Sequence, residues 1–203
     1  MPTSGVRLGR DFFARDTVTV ARELLGKLMI YCSPKGLVGG RVVETEAYVG
    51  PEDPACHSAR GLTPRNQVMF GPAGYAYIYQ IYGMHYCFNV TTASDDRPEA
   101  VLLRALEPLI GLDIMFKHRR VKQERLLASG PGRLVQALGI TKELNGSSVV
   151  EGPIGFYGDS GYTVSDDEIV AAPRIGISQA ADWLLRFYLR GNPHVSKKWA
   201  GAP

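Results

Sequence analysis

The chain is short of several things. Nowhere do eighteen apolar residues run consecutively, which excludes a membrane-spanning helix of ordinary length. Cysteine is scarce: Cys32, Cys56 and Cys87 are odd in number and show no C-x-x-C spacing, so they offer neither a disulfide framework nor a zinc or dithiol motif. A surplus of one charge is also missing. The 23 Lys and Arg face 20 Asp and Glu, for a net +3, so any polyanion site has to come from local clustering. Internal repeats and low-complexity tracts are absent, which argues against a solenoid. The first ten residues carry no apolar stretch followed by a cleavage signal, so a cytoplasmic protein with reduced thiols is expected.

What is present reads as one globular unit over residues 1–203, 45% hydrophobic and long enough to bury about 70% of the unfolded chain's surface. Asp16 is a plausible N-cap for a short helix whose apolar face is Val20, Ala21, Leu24 and Leu25, with Gly26 as its stop. Strand-like runs at 27–32 and 37–48 flank Ser33-Pro34-Lys35-Gly36, which has turn chemistry and predicts a hairpin. Residues 50–74 hold four prolines and four glycines with no sustained period, as expected of an ordered functional loop. Residues 75–82 and 85–92 form a second hairpin through Gly83-Met84. A buried strand is expected at 100–107, a helical stretch from Pro108 to about Ala128, a helix at 134–138, and short strands at 155–157 and 163–165. Hairpins with helices grouped around them predict a single α+β domain: a mixed, mainly antiparallel curved sheet, surrounding helices and a protruding β-hairpin.

Period two places Glu44, Glu46 and Tyr48 on one strand face and Val43, Thr45 and Ala47 on the other. Paired carboxylates beside an aromatic ring suit a general base, although a solvated outer face is the commoner meaning of such a pattern and is preferred for the strand alone. His57 lies in the long loop next to Cys56. A metal site or a Cys/His nucleophile pair there is disfavoured, because adjacent side chains seldom converge. Tyr75, Tyr77 and Tyr79 share a strand face and Tyr82 sits at the hairpin turn, an arrangement suited either to a core face or to stacking on bases. Lys117, Arg119, Arg120, Lys122 and Arg125 fall on the expected helical stretch, and Ser129-Gly130-Pro131-Gly132-Arg133 is a Gly-rich helix start that could hold a phosphate.

Several of these segments, in this order, resemble the alkyladenine (3-methyladenine) DNA glycosylase family. They are Val43-Glu44-Thr45-Glu46-Ala47-Tyr48, Gly50-Pro51-Glu52-Asp53, Ala55-Cys56-His57-Ser58, Thr63-Pro64-Arg65-Asn66, Tyr77-Ile78-Tyr79, Ile81-Tyr82-Gly83-Met84, Val101-Leu102-Leu103-Arg104-Ala105-Leu106-Glu107-Pro108 and Arg186-Phe187-Tyr188-Leu189-Arg190-Gly191. The resemblance implies a monofunctional enzyme that flips a damaged purine out of double-stranded DNA and hydrolyses its N-glycosidic bond, without metal or other cofactor. It further implies Glu46 as the general base, Tyr48, His57, Tyr79, Asn89 and Tyr77 as the base pocket, Tyr82 as the wedge that fills the gap in the duplex, and Arg104 as a phosphate contact. Asn89 would crowd the amino group of normal guanine. Expected substrates are 3-methyladenine, 7-methylguanine, hypoxanthine and ethenoadenine, and the expected setting is a monomer at the bacterial nucleoid with no membrane partner. A damaged-DNA-binding module without chemistry, and a hydrolase of free nucleosides, are the alternatives.

Overall fold

Asp16 starts the architecture where the sequence predicts, its side chain accepting the Thr19 N–H at 2.8 Å. In the computed structural model, which describes residues 5–81, 83, 85–93 and 97–201, two helices open the chain, α1 (Arg10–Phe13) and α2 (Thr17–Glu23). Then come β1 (Leu28–Ser33) and β2 (Gly36–Tyr48). Their turn is closed by Ser33 Oγ donating to the Gly36 carbonyl. Strands β3 (Ala76–Ile81) and β4 (His85–Thr92) form the second hairpin, and β5 (Glu99–Ile110) returns through the centre. Helices α3 (Leu112–Arg119) and α4 (Pro131–Leu138) and short strands β6 (Ile154–Tyr157), β7 (Ile169–Ala172) and β8 (Arg186–Leu189) follow.

Among the described residues the sheet has eight strands, all paired antiparallel, in the order β3-β4-β5-β2-β1-β6, with β8 pairing β2 and β7 pairing β8. The predicted α+β class stands. Strand β2 carries the arrangement on which the site depends. One edge lies against β5, while the other is taken by β1 up to Arg41 and by β8 from Glu44 to Glu46. Between Val42 and Thr45 its register against β5 slips. A bulge of this kind re-aims side chains. Val42 and Val43 both enter the main core, and Glu44 and Glu46 are buried as well. The solvated face preferred for this strand is therefore overturned, because Glu44 and Glu46 meet Arg104, Arg186 and the Ile175 and Ser196 amides instead of water.

The alternation of β3 separates two cores. Ala76 and Ile78 join the main cluster with α2 and α4, while Tyr77 joins a smaller one of Cys56, Met69 and Ala100, against which Tyr48 and Tyr79 pack. That smaller cluster lies under the long loop, which is ordered around two 3-10 turns, His57–Arg60 and Gln67–Phe70.

Two expectations fail. The helix expected from Pro108 is instead the last part of β5, and α3 begins only after Gly111, at φ +70°. Pro108 fits because it pairs opposite Gly40 where the register shifts, and a Cβ on Gly40 would lie 2.1 Å from the Glu107 carbonyl oxygen. Helix α3 ends at Arg119 with Arg120 as its C-cap, so Lys117 and Arg119 are in the helix, Lys122 follows it, and Arg125 falls in a separate 3-10 turn, Glu124–Leu126. The strand expected at 163–165 is also absent: Ser165 caps the turn Asp166–Glu168 by exchanging hydrogen bonds with Glu168, and β7 starts after it.

Candidate active site

The two carboxylates on β2 are fully buried beside the smaller core, each 0% exposed. Such burial is tolerable only with partners. Glu44 Oε1 accepts from Arg186 at 2.9 Å and from Arg104 Nε at 3.3 Å, and its Oε2 accepts the Ser196 N–H at 2.7 Å. Glu46 Oε1 accepts the Ile175 N–H at 2.7 Å and lies 3.1 Å from Arg104 Nη1, while among the described residues Oε2 accepts only the Tyr48 hydroxyl, at 3.0 Å. Burial raises the Glu46 carboxyl above its usual value. Arg104, the Ile175 amide and the Tyr48 hydroxyl each pull it back toward the charged form.

Around these groups lies a cavity of about 440 Å³, within the range of small-molecule sites. Tyr48, His57, Tyr77, Tyr79, Asn89 and Arg104 all line it, together with Arg60, Arg65 and residues 175–179. Glu46 itself sits one side chain behind the wall, covered by Tyr48, Arg104 and Ile175. A larger hollow of about 820 Å³, between residues 5–9, α2 and the 158–169 segment, contains none of these groups.

His57 Nδ1 lies 2.8 Å from the Tyr77 hydroxyl, and its ring meets Tyr79 edge-on at 4.5 Å. Burial, then Arg65 and Arg60, lower its pKa to about 4, so the imidazole is neutral near pH 7. Burial raises the Tyr48 and Tyr79 hydroxyls well above their usual value and Tyr77 to about 12; all three stay protonated donors. Asn89 is buried and donates to the Tyr77 carbonyl across the β3–β4 pair. Cys56 and His57 turn to separate partners, Ser58 and Tyr77, so the adjacent pair does not converge. Tyr75 lies outside the cavity, with Arg10 over its ring. Tyr82 falls outside the described residues.

Arg104 was expected at a phosphate. It is 6% exposed, lines the cavity, and holds Glu44 and Glu46 on its guanidinium. The basic run after β5 is dispersed: Arg119 is engaged with Gln136 and the Leu126 carbonyl, and Lys117 faces Asp113. The Gly-rich start of α4 meets the cavity through Pro131, while Arg133 folds back on Ser129. Residue patterns alone did not single out Arg174, Asp53, Arg186 or the Ile175 amide. Asp53 and Arg186 do lie in the segments that carry the resemblance, but a backbone donor reaching across 129 positions leaves no local signal.

Residues 11–193 match the sequence model of the methylpurine-DNA glycosylase family. A protein of Methanoculleus marisnigri named "Putative 3-methyladenine DNA glycosylase" is 51% identical over 188 residues, covering 92% of this chain and 97% of its own. Proteins of the same name from Carboxydothermus hydrogenoformans and Legionella pneumophila (strain Lens) are 50% and 46% identical, covering 94% of this chain in both cases and 99% and 98% of their own. With buried carboxylates behind an aromatic cavity and this likeness along nearly its whole length, the chain belongs to the methylpurine-DNA glycosylase family and is a DNA glycosylase of DNA repair.

Proposed function

We propose that this chain, as a monomer, flips alkylated or deaminated purines (3-methyladenine, 7-methylguanine, hypoxanthine and ethenoadenine) out of double-stranded DNA and hydrolyses the N-glycosidic bond with a water activated by Glu46. The observation that carries this reading is the asymmetry of the Glu46 carboxylate. Its Oε1 is held by a backbone amide and an arginine, whereas among the described residues Oε2 has only the Tyr48 hydroxyl, whose ring lines the cavity.

The extruded base occupies the aromatic cavity, against Tyr48 on one side and His57 and Tyr79 on the other. Stacking a cationic methylated base on these rings adds about 0.5–2 kcal/mol of cation–π attraction. The Tyr48 hydroxyl then gives up Oε2 to a water. As the purine leaves, positive charge develops at the sugar carbon; the Glu46 carboxylate stabilises that charge and takes the water's proton as the new C–O bond forms. Arg104 pulls Glu46 toward its ionised form and offers its cavity-facing edge to a phosphate of the flipped nucleotide. Neutral His57, tied to Tyr77, presents its other ring nitrogen to the base. Asn89 stands at the pocket floor against the guanine amino group, and Tyr82 fills the gap in the duplex. Flipping costs a few kcal/mol, least where the lesion pairs poorly.

The test is base release from duplexes carrying one hypoxanthine or one methylated adenine, by wild type and by Glu46→Gln, with abasic sites and strand breaks scored separately. Abasic sites without breaks, lost in Glu46→Gln while lesion binding persists, are expected. Binding by both proteins with no release from any lesion would make this a damage-recognition module.

A further inference from the structure

Behind the cavity, outside its lining, lies an ion pair that the reaction above does not use. Arg174 and Asp53 have fully buried side chains joined by two hydrogen bonds, one of them 2.7 Å. Burying two charges seldom stabilises a fold more than apolar residues of the same volume would, so stability alone does not account for the pair.

Its contacts suggest another reason. Arg174 Nη1 also donates to the carbonyl of Ala47, the residue between Glu46 and Tyr48, at 3.0 Å. The guanidinium stacks 4.7 Å from the centre of the Tyr48 ring; Arg174 does not line the cavity and Tyr48 does, so it supports the ring from behind. The next residue, Ile175, donates its N–H to Glu46 Oε1. Asp53, in turn, accepts from the Val49 and Ala55 N–H groups at the start of the long loop. One guanidinium thus joins the end of β2, the root of the loop that carries His57, and the 175–179 wall.

We infer that Arg174, clamped by Asp53, is a positioning residue for Glu46: it seats the Ile175 amide on Oε1 and braces Tyr48, so that Oε2 alone is left to receive the attacking water. This rests on the proposed glycosylase reading for its chemistry, but the clamp itself can be tested without substrate. Arg174 touches no reacting atom. The other groups facing Glu46 are Tyr48 and Glu44 on β2, Arg104 on β5, and Tyr79 and Cys87 on β3 and β4, which lie close enough to sense its charge; Arg186 on β8 acts through Glu44. All of them remain when the clamp is removed; Arg174's own charge, which also interacts with Glu46, goes with it, so it is the ester protein that isolates the contribution of the Ile175 amide.

The experiment is a ¹³C-carboxyl NMR titration of the full chain labelled at glutamate, with Glu46→Gln identifying the resonance. Three proteins are compared: wild type, the double variant Arg174→Met/Asp53→Asn, which leaves no orphan charge, and protein whose Ile175 amide is replaced by an ester. Loss of a donor to a buried carboxylate should raise the proton affinity of Glu46 about tenfold in both altered proteins. The acid limb of single-turnover excision should move to higher pH by the same factor, with the rate recovering toward wild type as pH rises. A Glu46 titration unmoved in the ester protein overturns the inference, whether or not the double variant folds. Excision that falls equally at every pH, with the titration unmoved, assigns the pair a purely structural role and overturns it too. The titration requires no excision: if Glu46 titrates as expected but no base is released, the clamp stands and the glycosylase mechanism falls.

Discussion

The two sides of the cavity are built on opposite principles. On the carboxylate side, Glu44, Glu46, Arg104, Arg174 and Arg186 come from β2, β5, β8 and the segment after β7, and none is more than 6% exposed. On the rim side, Arg60 and Arg65 are exposed residues of the long loop beside partly buried His57 and Tyr79. The carboxylate side has to hold one charge state and one geometry, which burial with several partners provides. The rim has to meet a polyanion, so its cations stay in water and their effect is screened by salt. The boundary runs through Tyr48, whose hydroxyl belongs to one side and whose ring belongs to the other.

Substitutions on the carboxylate side should therefore disable the chemistry or the fold, and substitutions on the rim should tune binding. Glu46→Gln has the largest expected effect, a fall in single-turnover excision of about 10²–10⁴-fold with lesion-duplex affinity little changed. Equal losses of rate and affinity would break the comparison. Glu44→Ala should act on stability instead. It leaves Arg186 without its carboxylate and Arg104 with only Glu46, and should cost about 3–5 kcal/mol in denaturant unfolding.

On the rim, Arg60→Gln and Arg65→Gln should each flatten the dependence of log affinity on log salt by about one, with excision of bound lesion unchanged. The smallest effect is expected of His57 on stability. Its pKa is about 4 folded against the usual 6.5, so between those values the unfolded chain binds more protons. Stability from this group is therefore present above pH 6.5 and lost as pH falls toward 4. Because the ring is only partly buried, the loss should be about 1 kcal/mol. His57→Gln should remove that part of the slope when urea unfolding is compared at pH 7 and pH 4.5.

Reading the sequence reached the aromatic pocket residues and the carboxylate pair more readily than what holds them, and it did not single out Arg60 or Arg65 at the rim. Alternation in β2 and β3 was visible because period two is a local property, and Tyr48, Tyr77 and Tyr79 do converge on one cavity, with Glu46 behind Tyr48. The bulge at Val42–Thr45 and the β8 edge that buries Glu44 were not visible, since register is decided by the partner strand. The helix expected from Pro108 failed for a similar reason: Gly40, 68 positions earlier, makes room for proline in a strand.

Local chemistry along the chain was enough to establish the α2 cap, the two hairpins, the α+β class and the residue types of the pocket, because capping, turns and alternation act over a few neighbours. Tertiary structure alone decided that Glu46 is buried, that Arg104 lies between two carboxylates, and that an amide 129 residues away holds one oxygen and leaves the other nearly free. Charge state and orientation depend on what surrounds a group in space, and here those surroundings come from β2, β5, β8 and the 173–175 segment, which only the completed sheet brings together.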